Sequence, residues 1–152
     1  MSRIQLALNV SDLDEAVAFY SKLFKSEPAK VRPGYANFAI DEPPLKLVLI
    51  EGGGVPGAIN HLGVEVFSTD EVAEATRYLA GSGLATEVED QTTCCYAVQD
   101  KVWVDGPDGA RWEVYTVLAD ASGANSLGGD ERCCTSAADG VAAPASTASG
   151  CC

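Results

Sequence analysis

Hydrophobic and polar residues alternate in two separate stretches of the chain, and a helical pattern follows each stretch. Residues 4–10 read IQLALNV, and residues 60–66 read NHLGVEV. A period of two predicts a strand with one buried face. Because the two stretches and the segments after them are alike, we interpret the chain as an internal repeat.

Each predicted strand leads into a helix with one apolar face. Ser11 or Asp12, and Ser68 or Thr69, are the candidate N-caps, and an acidic residue follows each of them in the first turn. The apolar positions, which we expect to pack on a sheet, are Leu13, Val17, Tyr20, Leu23 and Phe24 in the first helix and Val72, Ala75, Tyr78 and Leu79 in the second.

Three strand-like segments follow each helix and complete a β-α-β-β-β pattern in each half. We predict them at residues 29–32, 35–40 and 45–51, and again at 86–90, 97–104 and 111–117. The fold class is therefore α+β, built from two βαβββ modules in a domain of residues 1–117. The modules span about 1–52 and 58–117, and a glycine-rich segment links them.

Residues 118–152 differ from the rest in composition, because Ala, Ser, Gly and Thr dominate. Such a segment buries too little apolar surface to offset its ordering entropy, so we expect a flexible, disordered C-terminal tail. It carries two of the three adjacent cysteine pairs, Cys133-Cys134 and Cys151-Cys152. These pairs could capture a thiophilic ion, or they could be neutral additions.

Charge and hydropathy exclude several classes of function. The formal net charge is −12, without a stripe of Lys and Arg, which argues against a nucleic-acid partner and against an anionic membrane surface. No apolar run is long enough for a membrane helix, and residues 1–7 lack the pattern of a signal peptide. We therefore expect a cytoplasmic protein whose six cysteines are thiols rather than disulfides.

Three polar residues on predicted strands form a candidate metal site. Gln5 and His61 hold equivalent places in the two opening strands, and Glu113 lies in the last strand between apolar neighbours. Facing inward, they would make a three-ligand site similar to the facial sites of non-haem Fe(II) enzymes. The alternative is structural: His61 satisfies a core hydrogen bond, Gln5 lies at the rim, and Glu113 pairs with Arg111 or Lys101. The pattern alone leaves both interpretations open.

The adjacent cysteines Cys94 and Cys95 form a second candidate site. In a strand their sulfurs would point to opposite faces, whereas in a loop they could converge on one soft centre such as Cd(II), Zn(II) or trivalent arsenic. The preceding Gln-Thr-Thr run suggests a loop. The alternative to a binding site is that both cysteines are partly buried and act as small apolar residues. Tyr96 and Lys101 flank the pair and are candidates for substrate contact or for ordinary solvated side chains.

Long segments of residues 1–117 resemble a known family, the ArsI/CadI group of carbon–arsenic lyases and cadmium-induced proteins. The segments are 30–40, 43–51, 61–65 and 94–104, and the tail is mostly not covered. The group is part of the vicinal oxygen chelate superfamily, with its glyoxalase/bleomycin-resistance/dioxygenase fold. By this resemblance, Gln5, His61 and Glu113 fall on metal-ligand positions, and Cys94 and Cys95 fall on a catalytic pair that binds the arsenical.

The resemblance implies an Fe(2+)-dependent dioxygenase that uses O₂ to cleave the carbon–arsenic bond of trivalent organoarsenicals, releasing arsenite. Methylarsenite and aromatic arsenicals are both candidate substrates. The competing hypothesis is thiol-based sequestration of Cd(II), Zn(II) or As(III) without turnover. A glyoxalase-like isomerase ranks lower, because residues 45–50 offer no fourth ligand. The sequence is compatible with halves that close within one chain or by exchange in a homodimer.

Overall fold

The computed structural model describes residues 2–94 and 96–121. The elements are β1 (Arg3–Val10), α1 (Leu13–Phe24), β2 (Lys30–Arg32), β3 (Tyr35–Ile40), β4 (Leu45–Glu51), β5 (Ile59–Glu65), α2 (Thr69–Gly81), β6 (Thr86–Cys94), β7 (Ala97–Asp105) and β8 (Arg111–Asp120). This order confirms the two βαβββ modules. The last strand ends three residues beyond the predicted position, and the predicted tail lies outside the described residues from position 122 onward.

All eight strands form one mixed sheet, in the order β2-β3-β4-β1-β5-β8-β7-β6, that curls into a half-barrel. The modules meet at the centre, where β1 and β5 are antiparallel. Outward from this seam, β4 runs parallel to β1 and β8 runs parallel to β5. The two modules thus meet along one seam and share a single continuous sheet.

Both helices cover the same face of the sheet and begin at the predicted caps. Asp12 accepts a hydrogen bond from the backbone N–H of Glu15 at 2.8 Å, and Ser68 accepts one from Glu71 at 3.3 Å. The buried contacts of α1 are made with β1, β3 and β4, and those of α2 with β5, β7 and β8. This leaves the opposite, concave face free for polar side chains.

Two of the predicted helix contacts are wrong. Leu23 is 56% exposed and Tyr78 is 72% exposed, so neither packs on the sheet. Ala16 packs in the α1 cluster instead. Both exposed residues fit the apolar period of their helices, but the face that is actually buried is narrower than this period predicts.

The pairing registers make the two modules equivalent about the central seam. Gln5 pairs with Gly63, and Ala7 pairs with His61, so Gln5 and His61 occupy the same place in their modules. In β8, Glu113 lies beside Gly63. The same place in β4, beside Ala7, is held by Val48. Val48 is therefore the counterpart of Glu113.

Candidate metal and substrate site

The three predicted ligands converge on the concave face. Gln5 Nε2 lies 2.6 Å from Glu113 Oε1 and 3.0 Å from His61 Nε2. His61 Nε2 lies 3.4 Å from Glu113 Oε1. All three residues are buried, and each comes from a different strand of the sheet. The regular alternation of β1, β5 and β8 produces this convergence, because it turns every second residue toward the same face.

The donor set fits one divalent cation. Ligands at about 2.1 Å from an octahedral ion lie about 3.0 Å apart when adjacent, and the observed separations of 2.6, 3.0 and 3.4 Å bracket that value. The pocket between them has a volume of about 20 Å³. A cation requires the amide oxygen of Gln5 to face inward, which a 180° rotation of the terminal amide provides.

Gln5 is needed to complete such a site. Within residues 2–94 and 96–121, no group of three or more His, Cys, Asp or Glu side chains could hold a metal. The fourth place of the symmetric modules belongs to Val48, whose side chain cannot coordinate and lines the same pocket. One side of the donor set thus lacks a protein ligand.

A buried ion pair adjoins the donors. Lys101 Nζ lies 3.3 Å from Glu113 Oε2, and the two side chains are 1% and 4% exposed. Burial raises the pKa of Glu113, but the contact with His61, the charge of Lys101 and the hydrogen bond from Gln5 outweigh it, so the pKa lies below its usual value. The carboxylate is therefore ionised at neutral pH. The structural pairing of Glu113 with Lys101 and the ligand role are compatible, because each engages a different carboxylate oxygen.

Trp103 forms one wall beside these groups. Its ring meets His61 edge-on at 5.5 Å, and Lys101 Nζ lies 5.1 Å from its centre. The ring is 1% exposed and fixes the positions of both neighbours by contact. Trp103 thus packs on the face that carries the site.

Cys94 lies at the end of β6 and lines the same pocket as the three candidate ligands. The predicted loop before it is wrong: the strand continues through Thr93, with a register shift between Glu89 and Thr92, and a tight turn follows. Cys94 is 2% exposed and is disulfide-bonded, where a thiol was expected. Cys95 lies outside the described residues.

Tyr96, which precedes β7, contacts the first module through Lys30 and Pro33. Lys30 Nζ donates to the carbonyl of Tyr96 at 3.2 Å and pairs with Asp120. The Tyr96 hydroxyl donates to the carbonyl of Pro33 at 3.4 Å, and its ring lies 5.9 Å from that of Tyr35. Tyr96 is thus anchored to the first module, whereas Lys101 is buried within β7 and not in a solvated loop.

A larger cavity of about 320 Å³ adjoins the small pocket and shares Gln5, Tyr35 and Gln99 with it. Three buried polar atoms of its lining residues, Asn37 Oδ1, Glu65 Oε2 and Tyr115 OH, have no hydrogen-bond partner among the described residues. Burial and the nearby carboxylates raise the pKa of Tyr115 well above its usual value, so its hydroxyl remains protonated.

Several residues of the site were not predicted from the sequence. Gln99 shares a face of β7 with Lys101 and Trp103, a pattern that was visible in the alternation of that strand. Val48 could have been found by aligning the two modules. Asn60, which contacts His61, could not have been found without the register of β1 and β5.

Sequence and fold match a known group. The model of the Glyoxalase/Bleomycin resistance protein/Dioxygenase superfamily matches residues 3–114, and the chain belongs to this superfamily. Within it, the cadmium-induced protein CadI of Mycobacterium tuberculosis is 64% identical over 121 residues, which are 80% of each chain. The trivalent organoarsenical cleaving enzyme of Thermomonospora curvata is 58% identical over 153 residues, which cover both chains entirely. These relatives confirm the resemblance to the ArsI/CadI group.

Solved structures with low sequence identity show the same fold. The Mn(II)-bound glyoxalase of Novosphingobium aromaticivorans matches with a TM-score of 0.57 and 20% identity, over 79% of this chain and 41% of that chain. An extradiol ring-cleaving dioxygenase of B. fuscum matches with a TM-score of 0.56 and 20% identity, over 78% of this chain and 33% of that chain. This chain thus spans less than half of either neighbour.

Neither helix in the described part of the chain has the length and hydrophobicity needed to cross a membrane.

Proposed function

We propose that this protein is a carbon–arsenic lyase, an Fe(2+)- and O₂-dependent dioxygenase that acts on trivalent organoarsenicals. The observation that carries the proposal is that candidate metal ligands and a cysteine line one pocket. The Gln5, His61 and Glu113 donors and the sulfur-bearing Cys94 line the same space of about 20 Å³. The relatives named as trivalent organoarsenical cleaving enzymes, at 58% and 42% identity, support the substrate class.

Cys94 and Cys95 bind the arsenic in this proposal. Each thiol displaces one hydroxyl of methylarsenite, so that two As–S bonds form and two water molecules leave. The reaction requires reduced cysteines, and the disulfide of Cys94 must therefore be opened first. The reducing cytoplasm is the compartment that keeps such thiols available.

Gln5, His61 and Glu113 would hold the iron, which supplies a site where O₂ is activated next to the substrate. The protein's part is positioning. Because Val48 contributes no ligand, the side of the donor set that faces Val48 is left for small molecules. Fixing the arsenical at Cys94, on the wall of the same pocket, lowers the entropic cost of bringing the reactants together.

The adjacent cavity of about 320 Å³ would receive the organic substituent. A methyl group leaves most of this volume to water, whereas a phenyl ring with a hydroxyl or amino group could bond to Asn37 Oδ1 and Tyr115 OH. Both kinds of arsenical are thus compatible with the site. Lys101, which lines the small pocket, and Tyr96, which packs against the cluster that contains Tyr35 and Val48, remain our candidates for further substrate contacts.

Sequestration of Cd(II), Zn(II) or As(III) by thiols is the second candidate function. The three adjacent cysteine pairs favour it, as does the 64% identity to proteins named as cadmium-induced. Sequestration consumes protein in fixed proportion and needs no O₂, whereas a lyase turns over. A homodimer is compatible with either function.

The test is aerobic incubation of reduced, Fe(2+)-loaded protein with excess methylarsenite, with the arsenic species separated over time. We expect arsenite in large excess over protein, and none without O₂. The Glu113→Gln variant should be inactive, while Glu74→Gln, a matched change on the exposed face of α2, should retain full activity. Methylarsenite bound at a fixed ratio with no arsenite released would refute the lyase and favour sequestration.

A further inference from the structure

The side chain of Asn60 reaches the ring of His61, although the two residues are neighbours in β5. Neighbouring side chains of a regular strand point to opposite faces. The register of β1 and β5 shifts at this point, because Ala7 pairs with His61 while Leu8 pairs with Ile59. Asn60 is the extra residue of this bulge. A bulge re-aims a side chain, and here it brings Asn60 Oδ1 to 2.8 Å from His61 Nδ1.

The partners of Asn60 determine which way its amide points. Asn60 Nδ2 lies 3.3 Å from the backbone oxygen of Gly53 and 2.9 Å from Asn9 Oδ1. A backbone carbonyl only accepts hydrogen bonds, so the NH₂ group of Asn60 must face Gly53. The amide oxygen therefore faces His61. Because that oxygen also only accepts, His61 Nδ1 must carry a proton.

A neutral imidazole carries a single proton, so His61 Nε2 then presents a lone pair. This is the nitrogen that lies 3.0 Å from Gln5 Nε2 and 3.4 Å from Glu113 Oε1. We propose that Asn60, held by Asn9 and Gly53, is a positioning residue that fixes the Nδ1–H tautomer of His61 and keeps Nε2 free for a divalent metal. The metal part of this statement rests on the proposed function, whereas the tautomer does not.

Asn9 extends the same support into the first module. It is 4% exposed, its backbone N–H donates to the carbonyl of Ala58 at 3.0 Å, and its carbonyl accepts from Gly57 at 2.8 Å. Asn9 thus ties the segment between the modules to the side chain that orients His61. Partners of this kind fix the orientation of a metal-binding imidazole and raise its basicity.

The first test reads the tautomer directly, because His61 is the only histidine of the chain. Full-length, metal-free protein with ¹⁵N-labelled histidine is examined by NMR at a pH about two units above the usual histidine pKa of about 6.5. We expect the proton on Nδ1 in the wild type and in Asn60→Asp, whose carboxylate still offers an acceptor to Nδ1 although it gives up the NH₂ contacts with Gly53 and Asn9. In Asn60→Ala the proton should move to Nε2, where Glu113 accepts it.

The matched control is Asn37→Ala, which removes another asparagine of the same sheet, one that bonds to Tyr35 OH and has no recorded contact with His61. It should leave the proton on Nδ1. Backbone amide spectra establish that each variant is folded. A proton on Nε2 in the wild type, or on Nδ1 in folded Asn60→Ala, would overturn the assignment.

The second test is titration of the same proteins with Co(II). Asn60→Ala should bind about 10- to 100-fold more weakly, and Asn60→Asp should stay close to the wild type. Equal affinities for the wild type and Asn60→Ala, despite a changed tautomer, would refute the positioning role. A wild type that takes up no Co(II) but shows the tautomer change would contradict the proposed function and leave the proton assignment intact.

Discussion

The buried pair of Glu113 and Lys101 makes a sharp prediction about stability. Glu113→Gln leaves the ammonium of Lys101 in a site that is 1% exposed, and Lys101→Met leaves the carboxylate of Glu113 in a site that is 4% exposed. Breaking a buried pair by removing one partner costs about 3–5 kcal/mol. Each charge that remains keeps one other contact, which reduces the loss. Lys101 Nζ lies 5.1 Å from the centre of the Trp103 ring, and Glu113 accepts a 2.6 Å hydrogen bond from Gln5. We therefore expect about 3 kcal/mol for each single variant.

The double variant should recover most of this loss. With both charges gone and similar side-chain volumes in place, it should lie within about 1 kcal/mol of the wild type. The assay is urea unfolding of metal-free protein at neutral pH, with the shift in midpoint read at constant m. A double variant that loses the sum of the single effects, about 6 kcal/mol, would refute the claim that the two charges compensate each other.

Co(II) binding by the same variants separates the contribution of the ion pair from the role of Glu113 as a metal ligand. Lys101→Met keeps all three donors and removes a nearby positive charge, so its affinity for Co(II) should equal or exceed that of the wild type. The double variant has recovered its fold but lacks the carboxylate, so its affinity should fall. If the double variant binds Co(II) as the wild type does, the negative charge of Glu113 is not needed for metal binding and serves the ion pair with Lys101.

Three further predictions concern other parts of the chain. Val48→Glu places a carboxylate at the counterpart of Glu113 and should bind divalent metal more tightly with slower turnover; an unchanged Co(II) affinity would count against the symmetry of the modules. Protein that keeps the Cys94 disulfide should not bind methylarsenite until a reductant is added, and uptake by the oxidised form would contradict the thiol mechanism. The hydrogen bond from Ser68 and that from the Phe67 N–H lower the pKa of Glu71, so its contribution is present above the unfolded pKa of about 4.3 and is lost as pH falls through the folded value. Unfolding midpoints of the wild type and Glu71→Gln should therefore differ at neutral pH and converge in acid.

The architecture could be predicted from the sequence because it depends on local patterns that repeat. Alternation in β1 and β5, with caps at Asp12 and Ser68, defines each module without knowledge of the other. Leu23 was assigned wrongly because helical periodicity shows which residues share a face, and not how far the sheet extends beneath it.

The candidate site was only partly predictable, because ligand types can be read from a sequence and registers cannot. Gln5, His61 and Glu113 stood out as polar residues in apolar strands. Asn60 did not, because its orientation depends on a one-residue shift between strands that are about fifty positions apart. The sequence predicts a loop before Cys94 because residues 91–93 are polar. A polar run does not show that the segment pairs with β7.

The seam between β1 and β5 has a consequence for assembly. The two modules are joined covalently only through residues 52–58, while the candidate ligands Gln5 and His61 lie on opposite sides of the seam. A chain whose connecting segment is too short to fold back would present each half to the complementary half of another copy. Such a domain-swapped dimer would rebuild two identical half-barrels, each drawing Gln5 from one polypeptide and His61 with Glu113 from the other. We therefore expect that shortening residues 52–58 would change the number of chains in the assembly, while each half-barrel would keep its three candidate ligands.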